Sequence, residues 1–402
     1  MNIPSYTNLV FRVCKLRKDV DFLLSKYYSG SLGGWSLTGN AGTVAGTNFI
    51  GTTDSVSLVF KTNSIERFRI LDTGNVGIGV TNPGFKLEVG GTSSVSDRKI
   101  GINGHQAIYM PDQTSFLNSF FLGQDSGTNI SHSSGFDSWN LVGIGVRALK
   151  NNTTGFNNTA VGVITLELNT TGYYCTAVGT GALSKNTTGF ENTAIGMSSM
   201  TNNTSGSENT AVGTSSLLSN TTGVQNVAFG TLALRANTTG IQNQAFGYRA
   251  MYNNTSGSLN LAFGYGSLAS NTTGNGSVAI GYGSIPLSAT GNYNTAVGHN
   301  SAPELIATGD AYNTIVGASS GIGLTTGVRN TIIGARITVS SSVSDSIFIG
   351  DGSGNIRIKF NSSGRMTLGV VPPEYADDAA AIVGGLTSGD IYKTGSVLKV
   401  VN

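Results

Sequence analysis

The chain has 402 residues, 57 of them glycine and only 7 proline, about twice the usual ~7% glycine without the Gly-X-Y period or the proline that collagen requires. Charged residues make up 11% and the formal net charge is +2, which leaves no basic footprint for nucleic acid; the 39% hydrophobic content is too high for a chain disordered by low hydrophobicity and high charge. This composition speaks against an ordinary globular enzyme, and its density of Gly, Asn, Thr and Ser predicts short strands and many turns.

Residues 1–30 read as a helical attachment segment. Leu9, Val13, Leu16, Val20, Leu23 and Tyr27 follow one another at spacings of 4, 3, 4, 3 and 4, an a/d heptad seam with Arg12, Lys15, Lys18 and Asp19 between. Valine at one seam position and leucine at the other is compatible with coiled-coil dimers or trimers; the competing reading is a single amphipathic helix docked on another protein. Charges from Arg12 onward leave no signal-peptide core, and no apolar run reaches the ~18 residues of a membrane helix. The expectation is a chain made in a bacterial cytoplasm and not inserted into a membrane. Cys14 and Cys175 are too few and too distant for a disulfide framework, and His105, His132 and His299 are scattered, so no metal and no cofactor are expected.

Residues 31–92 form a β-rich module of short strands with glycine turns: Trp35 to Thr43, Thr47 to Asp54, Leu58 to Asn63, Glu66 to Ile70, Gly74 to Gly79, and Leu87 to Val89 after Pro83. Residues 93–136 show no period and read as a connector.

From 137 to 336 the chain repeats. Gly155, Gly172, Gly189, Gly206, Gly223, Gly240, Gly257, Gly274 and Gly291 are 17 residues apart, as are Gly145, Gly162 and their successors to Gly298. Between them Ala160, Ala177, Ala194, Ala211, Ala228, Ala245, Ala262, Ala279 and Ala296 recur without exception. Seventeen residues are too few for a helical repeat. Two short apolar pieces ended by Gly or Asn-Thr-Thr-Gly suit two strands and two turns per coil, a parallel β-solenoid, with glycine at turn positions of positive φ. Two columns are expected to point inward: Val161, Val178, Ile195, Val212, Phe229, Phe246, Phe263, Ile280 and Val297 before the second glycine, and Leu149, Leu166, Leu183, Met200, Leu217, Leu234, Met251, Leu268 and Ile285 four residues after it. The alanine column then faces out, either against another chain or at a tight corner. The Asn-Thr-Thr and Asn-Thr-Ser triplets at Asn152 and Asn203 match glycosylation sequons, but stacked turn asparagines are the favoured reading.

Residues 337–402 are a C-terminal β region and tip, with strands at Ser346 to Gly350, Ile356 to Phe360 and Arg365 to Leu368, a break at Pro372-Pro373, a short helix over Tyr375 to Val383 ended by Gly384-Gly385, and a last strand-like stretch from Asp390.

Three segments resemble known families. Glu66-Arg-Phe-Arg-Ile through Gly74-Asn-Val-Gly-Ile-Gly, Pro83 and Leu87-Glu-Val resembles a module common in bacteriophage tail fibres and in large repetitive surface proteins of Bacteroidetes. Gly276-Ser-Val-Ala-Ile-Gly is similar to the head repeat of trimeric autotransporter adhesins, whose heads are trimers of left-handed parallel β-rolls; the coil of this chain is longer. The ending Asp377-Asp-Ala-Ala-Ala-Ile-Val-Gly-Gly through Tyr392-Lys-Thr-Gly-Ser-Val-Leu-Lys-Val resembles a C-terminus frequent on phage structural proteins. The resemblance implies a homotrimeric structural fibre or spike of a bacteriophage virion, on tail or head, held to the particle at its N-terminal end and presenting a receptor-binding region to a host-surface glycan or protein. The alternatives are a bacterial surface adhesin, which in the autotransporter family carries a signal peptide and a C-terminal membrane barrel that this sequence does not show, and a polysaccharide-degrading tailspike. Spike glycosidases need two carboxylates across a groove; Glu191 and Glu208 instead occupy matching positions one coil apart, a like-charge ladder on a surface, and no catalytic residues are expected.

The candidate carbohydrate- or receptor-binding residues are Tyr248, Tyr265, Tyr282 and His299, which share the position after the second glycine on successive coils, together with Arg249. An outward aromatic ladder could stack on sugar rings; the competing reading is a structural stack or a subunit seam.

Overall fold

The computed structural model describes residues 6–28, 41–44, 46–89, 99–102, 105–109, 119–129, 140–369, 391–394 and 397–400, with the single residues 39, 382, 384, 386 and 387. The chain divides into two compact units, Met1–Asp97 and Arg98–Asn402.

In the first unit an α-helix spans Tyr6–Tyr28. A four-stranded sheet follows: Leu58–Thr62 and Ile65–Ile70 form an antiparallel hairpin, Val76–Ile78 pairs antiparallel with the latter, and Leu87–Val89 pairs parallel with Val76–Ile78. The hairpin turn is Asn63-Ser64, with φ of 52° and 61°, the two left-handed residues whose twist matches that of paired strands. Phe60 packs on Phe68 with ring centroids 5.1 Å apart. The strand expected from Thr47 to Asp54 is absent; that stretch is turns and bends. The stretch at Trp35 lies outside the described residues save for Gly39 and Ala41 to Thr43, and the helix expected at Tyr375 to Val383 lies outside them save for Ile382.

The second unit is a parallel β-solenoid. Thirteen strands from Val142–Ile144 to Ile347–Gly350 stack in register over twelve turns of about 17 residues, alanine on alanine, as in Ala177↔Ala194 and Ala245↔Ala262. At the ~4.8 Å strand spacing this ladder is about 60 Å long. Phe120–Leu122 adds a parallel strand below Val142–Ile144. Both ends are then closed by antiparallel pairing: the hairpin Lys99–Ile102/His105–Tyr109 at one end, and Ile356–Phe360 with Met366–Leu368 at the other. Such caps remove the open edges on which a parallel ladder would otherwise recruit further strands.

Each regular turn contains one three-residue strand, not two. The second apolar piece is a chain of tight turns, because Leu149, Leu166, Leu183, Met200, Leu217, Leu234, Met251, Leu268 and Ile285 all sit in the left-handed region, φ 45–52°. The two glycine columns differ in their reason. Gly145 to Gly298 have φ of 121–137°, which only glycine adopts readily. Gly155 to Gly274 lie outside the left-handed region; there a Cβ would run into the carbonyl oxygen of the glycine one turn on and into an asparagine side chain.

The strand's phase is opposite to the expected one. Ala160, Ala177, Ala194, Ala211, Ala228, Ala245, Ala262, Ala279 and Ala296 are fully buried. Val178, Ile195, Phe229 and Phe263 are exposed, and Val161, Val212, Phe246, Ile280 and Val297 are half-buried on the outer face. The leucine column does point inward, with every member at 0–1% exposure. The reason is width. A residue and the one six positions later face each other across the solenoid, and their volumes are complementary: Ala with Leu, Met or Ile in the regular turns, Phe121 with Gly127, Ile315 with Gly321. A Cβ on Gly127 would strike Phe121, and one on Gly321 would press on Ile315. A Val or Phe opposite Leu would overfill this close-packed space.

The rest of the interior is polar. Asn152, Asn169, Asn186, Asn203, Asn220, Asn237, Asn254 and Asn271 are fully buried. Each successive Nδ2 donates to the preceding Oδ1 at 2.6–2.9 Å and to the glycine carbonyl three residues on. A second buried column runs through Asn192, Asn209, Asn226, Asn243 and Asn260. The sequons at Asn152 and Asn203 therefore belong to the interior. The first ladder stops where Ser288 replaces asparagine: Asn271 Oδ1 and Ser288 Oγ are buried without a partner. Ser288→Asn is expected to satisfy Asn271 and raise stability by about 1–2 kcal/mol, an unmade buried hydrogen bond costing that much; a lower denaturation midpoint would contradict the ladder.

Cys175 interrupts the second column and is fully buried. Burial pushes its thiol pKa up to about 11, since removal from water disfavours the thiolate. Iodoacetamide at pH 8 is therefore expected to alkylate exposed Cys14 and leave Cys175 intact until the chain unfolds, because the thiolate is the reacting form; mass spectrometry of the labelled peptides reads the outcome.

Candidate binding face

The aromatic column arises directly from the turn geometry. Each strand ends on an outward side chain, the positive-φ glycine turns the corner, and the next side chain again points out. Tyr248, Tyr265, Tyr282 and His299 occupy that position and stack as one ladder, with centroids 5.3, 4.9 and 5.3 Å apart and interplanar angles of 24°, 7° and 14°. All four are exposed. The ring faces of Tyr265 and Tyr282 are turned to their neighbours in the stack. What solvent meets is a row of ring edges and phenol hydroxyls, so a sugar ring would lie along the edge of this ladder and not on its faces.

Arg249 has φ 56°. Its guanidinium carbon lies 5.4 Å from the centroid of Tyr248 and 5.1 Å from that of Tyr252. The guanidinium carbon of Arg235, one turn earlier, lies 5.5 Å from the same Tyr252 centroid. The sequence reading selected Tyr248, Arg249, Tyr265, Tyr282 and His299, and these five are adjacent along one corner of the solenoid. It missed Arg235 and Tyr252, although these share a column, 17 residues apart. It also missed two further stacks: Phe156, Tyr173 and Phe190 at 4.9 and 5.0 Å, and Tyr293 with Tyr312 at 5.0 Å.

Beside the tyrosines runs the outward strand column, Val178, Ile195, Phe229, Phe263, Val316, Ile333 and Ile349, with exposures of 36–56%. From Val142–Ile144 to Ile347–Gly350 neither outward strand position carries a charged residue. Stacking identical positions at ~4.8 Å would stack like charges, but that alone would allow serine or threonine; an apolar column this long is more than charge avoidance needs. In the first unit, Leu9, Val13, Leu16, Val20 and Leu23 are 46–70% exposed; the side chain of Tyr27 lies outside the described residues.

The acids do not converge. Glu167 is buried and ion-paired with Arg147; Glu208 accepts a hydrogen bond from Gln225 Nε2 at 3.0 Å; Arg329–Asp345 and Arg357–Asp351 are ion pairs on later turns. Among the described residues no three His, Cys, Asp or Glu side chains are grouped to hold a metal ion. No family model and no curated protein matches the chain.

Proposed function

We propose that this chain is the subunit of a structural fibre or spike on a bacteriophage virion, assembled as a parallel homotrimer and presenting a face to the host-cell surface. The observation that carries the reading is the uncharged apolar column along the outer face of the solenoid. A strip about 60 Å long repeating every ~4.8 Å is best covered by a surface with the same repeat, and a parallel second copy of the solenoid has it. The exposed heptad seam of the first unit would align the copies in the same direction. The resemblance of residues 66–89 and of the C-terminal segment to phage fibre proteins supplies the biological setting.

In this reading the function is mechanical. Stacked turns with nearest-neighbour contacts make a stiff spacer, the helical end attaches to the particle, and three copies of a weak contact face act together. Linked sites exceed one site by ~10²–10⁴ when geometry allows simultaneous contact. Electron microscopy of purified particles with a gold-labelled C-terminal tag tests the reading. Label on a projecting fibre supports it. Label on the cell envelope and none on particles would overturn it in favour of a surface adhesin.

A further inference from the structure

The charges of the solenoid are distributed unevenly. Between Glu208 and Glu304 the sequence contains two charged residues, Arg235 and Arg249, and both lie against the same ring, that of Tyr252. In a chain with almost balanced charge, the middle of the rod is thus a long stretch whose net charge comes from two guanidinium groups held side by side. Neither has a carboxylate within ion-pair distance among the described residues, whereas Arg69, Arg147, Arg329 and Arg357 each have one.

The way they are held matters. A guanidinium placed over an aromatic ring is attracted through its planar face. Its N–H donors lie in the plane and point outward, and they remain available to a planar or tetrahedral anion. Arg249 is set between Tyr248 and Tyr252, so its side chain is ordered before any ligand arrives, which reduces the entropy lost on binding. Arg249 is exposed and Arg235 and Tyr252 are half-buried. The tyrosine and histidine ladder continues from this point along the rod for three further turns, an amphipathic edge able to follow a polymer.

We infer that Arg235, Tyr252 and Arg249 form a binding site for an anionic surface polymer, a chain bearing carboxylate, sulfate or phosphate groups, with the Tyr248–Tyr265–Tyr282–His299 ladder as its track. The inference rests on the reading of this corner as the contact face and names its ligand class. The two guanidiniums grip successive or shared anionic groups, and the ladder contacts the polymer backbone by ring edges and hydroxyls. Attraction of this kind is screened by salt, so binding weakens as ionic strength rises.

The test uses the full chain and four probes: a uronate oligosaccharide, an oligosaccharide sulfate, poly(glycerol phosphate) and neutral dextran of matched length. The expected result is binding to one or more anionic probes and none to dextran, a loss of at least tenfold in the double variant Arg235→Gln/Arg249→Gln, and no change in the control Arg329→Gln, whose guanidinium is paired with Asp345. Which probe binds distinguishes a sugar acid from a polymeric phosphate. Far-UV circular dichroism of the double variant establishes that its fold is intact; the single variant Arg249→Gln serves if it is not. Equal binding to dextran, or unchanged anion binding in the double variant, overturns the inference. If no anionic probe binds while the chain still adsorbs to host cells, the inference fails and the fibre reading stands.

Discussion

Asn226→Ala is expected to destabilise the solenoid by about 4–6 kcal/mol, the sum of the hydrogen bonds it breaks. Asn226 Nδ2 donates to Gly240 O at 2.8 Å and to Asn209 Oδ1 at 3.2 Å, and its Oδ1 accepts from the Asn243 backbone N–H at 3.0 Å and from Asn243 Nδ2 at 3.1 Å. Removing the side chain leaves the Asn243 N–H buried with no acceptor, which costs about 1–3 kcal/mol. Three further groups lose one of two partners at about 1 kcal/mol each. Asn226→Ser is expected to be milder, because Ser277 holds the same position three turns on and its Oγ accepts from the Asn294 backbone N–H. Because each turn touches only its neighbours, the loss should also divide the denaturation curve into two steps. A single unshifted transition for Asn226→Ala would contradict the ladder.

The second large effect concerns the width of the interior. Ala228 is fully buried and faces Leu234 across the solenoid. Ala228→Ile alone should cost about 3 kcal/mol, the upper part of the range for overpacking, since the neighbouring turns fix the backbone at ~4.8 Å on both sides. Adding Leu234→Gly should recover most of that loss. The double variant copies the Ile315/Gly321 turn already present in the chain, and Leu234 sits at φ 49°, where glycine is unstrained. Phe229→Ser, at the next position of the same strand, should leave the stability of an isolated solenoid nearly unchanged, because Phe229 is 55% exposed. If Phe229→Ser proves the costlier substitution in a monomeric chain, the strand does not turn its alanine inward.

That phase is where the sequence was hardest to read. The 17-residue period, the parallel solenoid, the inward leucines and the strands at Ile347–Gly350 and Ile356–Phe360 follow from spacing alone. The choice between Ala160 and Val161 does not. Hydrophobicity puts valine or phenylalanine inside, and what overrules it is the distance to the opposite wall, which one turn does not reveal. The atypical turns contain the missing clue: Phe121 and Ile315 occupy the alanine position where glycine stands six residues later. The Asn-Thr-Thr spacing shows that the asparagines stack as a ladder at turns, as they do, but not that their amides form the interior. On the candidate binding face, aligning columns locates Tyr248, Tyr265, Tyr282, His299 and Arg249. Arg235 and Tyr252 escaped because their column is otherwise irregular, with Leu218 before and Ala269 after.

The inverted phase also moves the expected contact between copies from the alanine column to Phe229, Phe263 and their neighbours. Each exposed phenylalanine offers on the order of 100 Å² of apolar surface, worth about 2 kcal/mol if covered. Sedimentation equilibrium of the purified full chain over a range of concentrations, beside the double variant Phe229→Ser/Phe263→Ser, measures this most directly. The fibre account predicts three times the chain mass for the native protein and dissociation of the variant at concentrations where the native protein stays assembled. A native protein that sediments as a single chain at every concentration would contradict it.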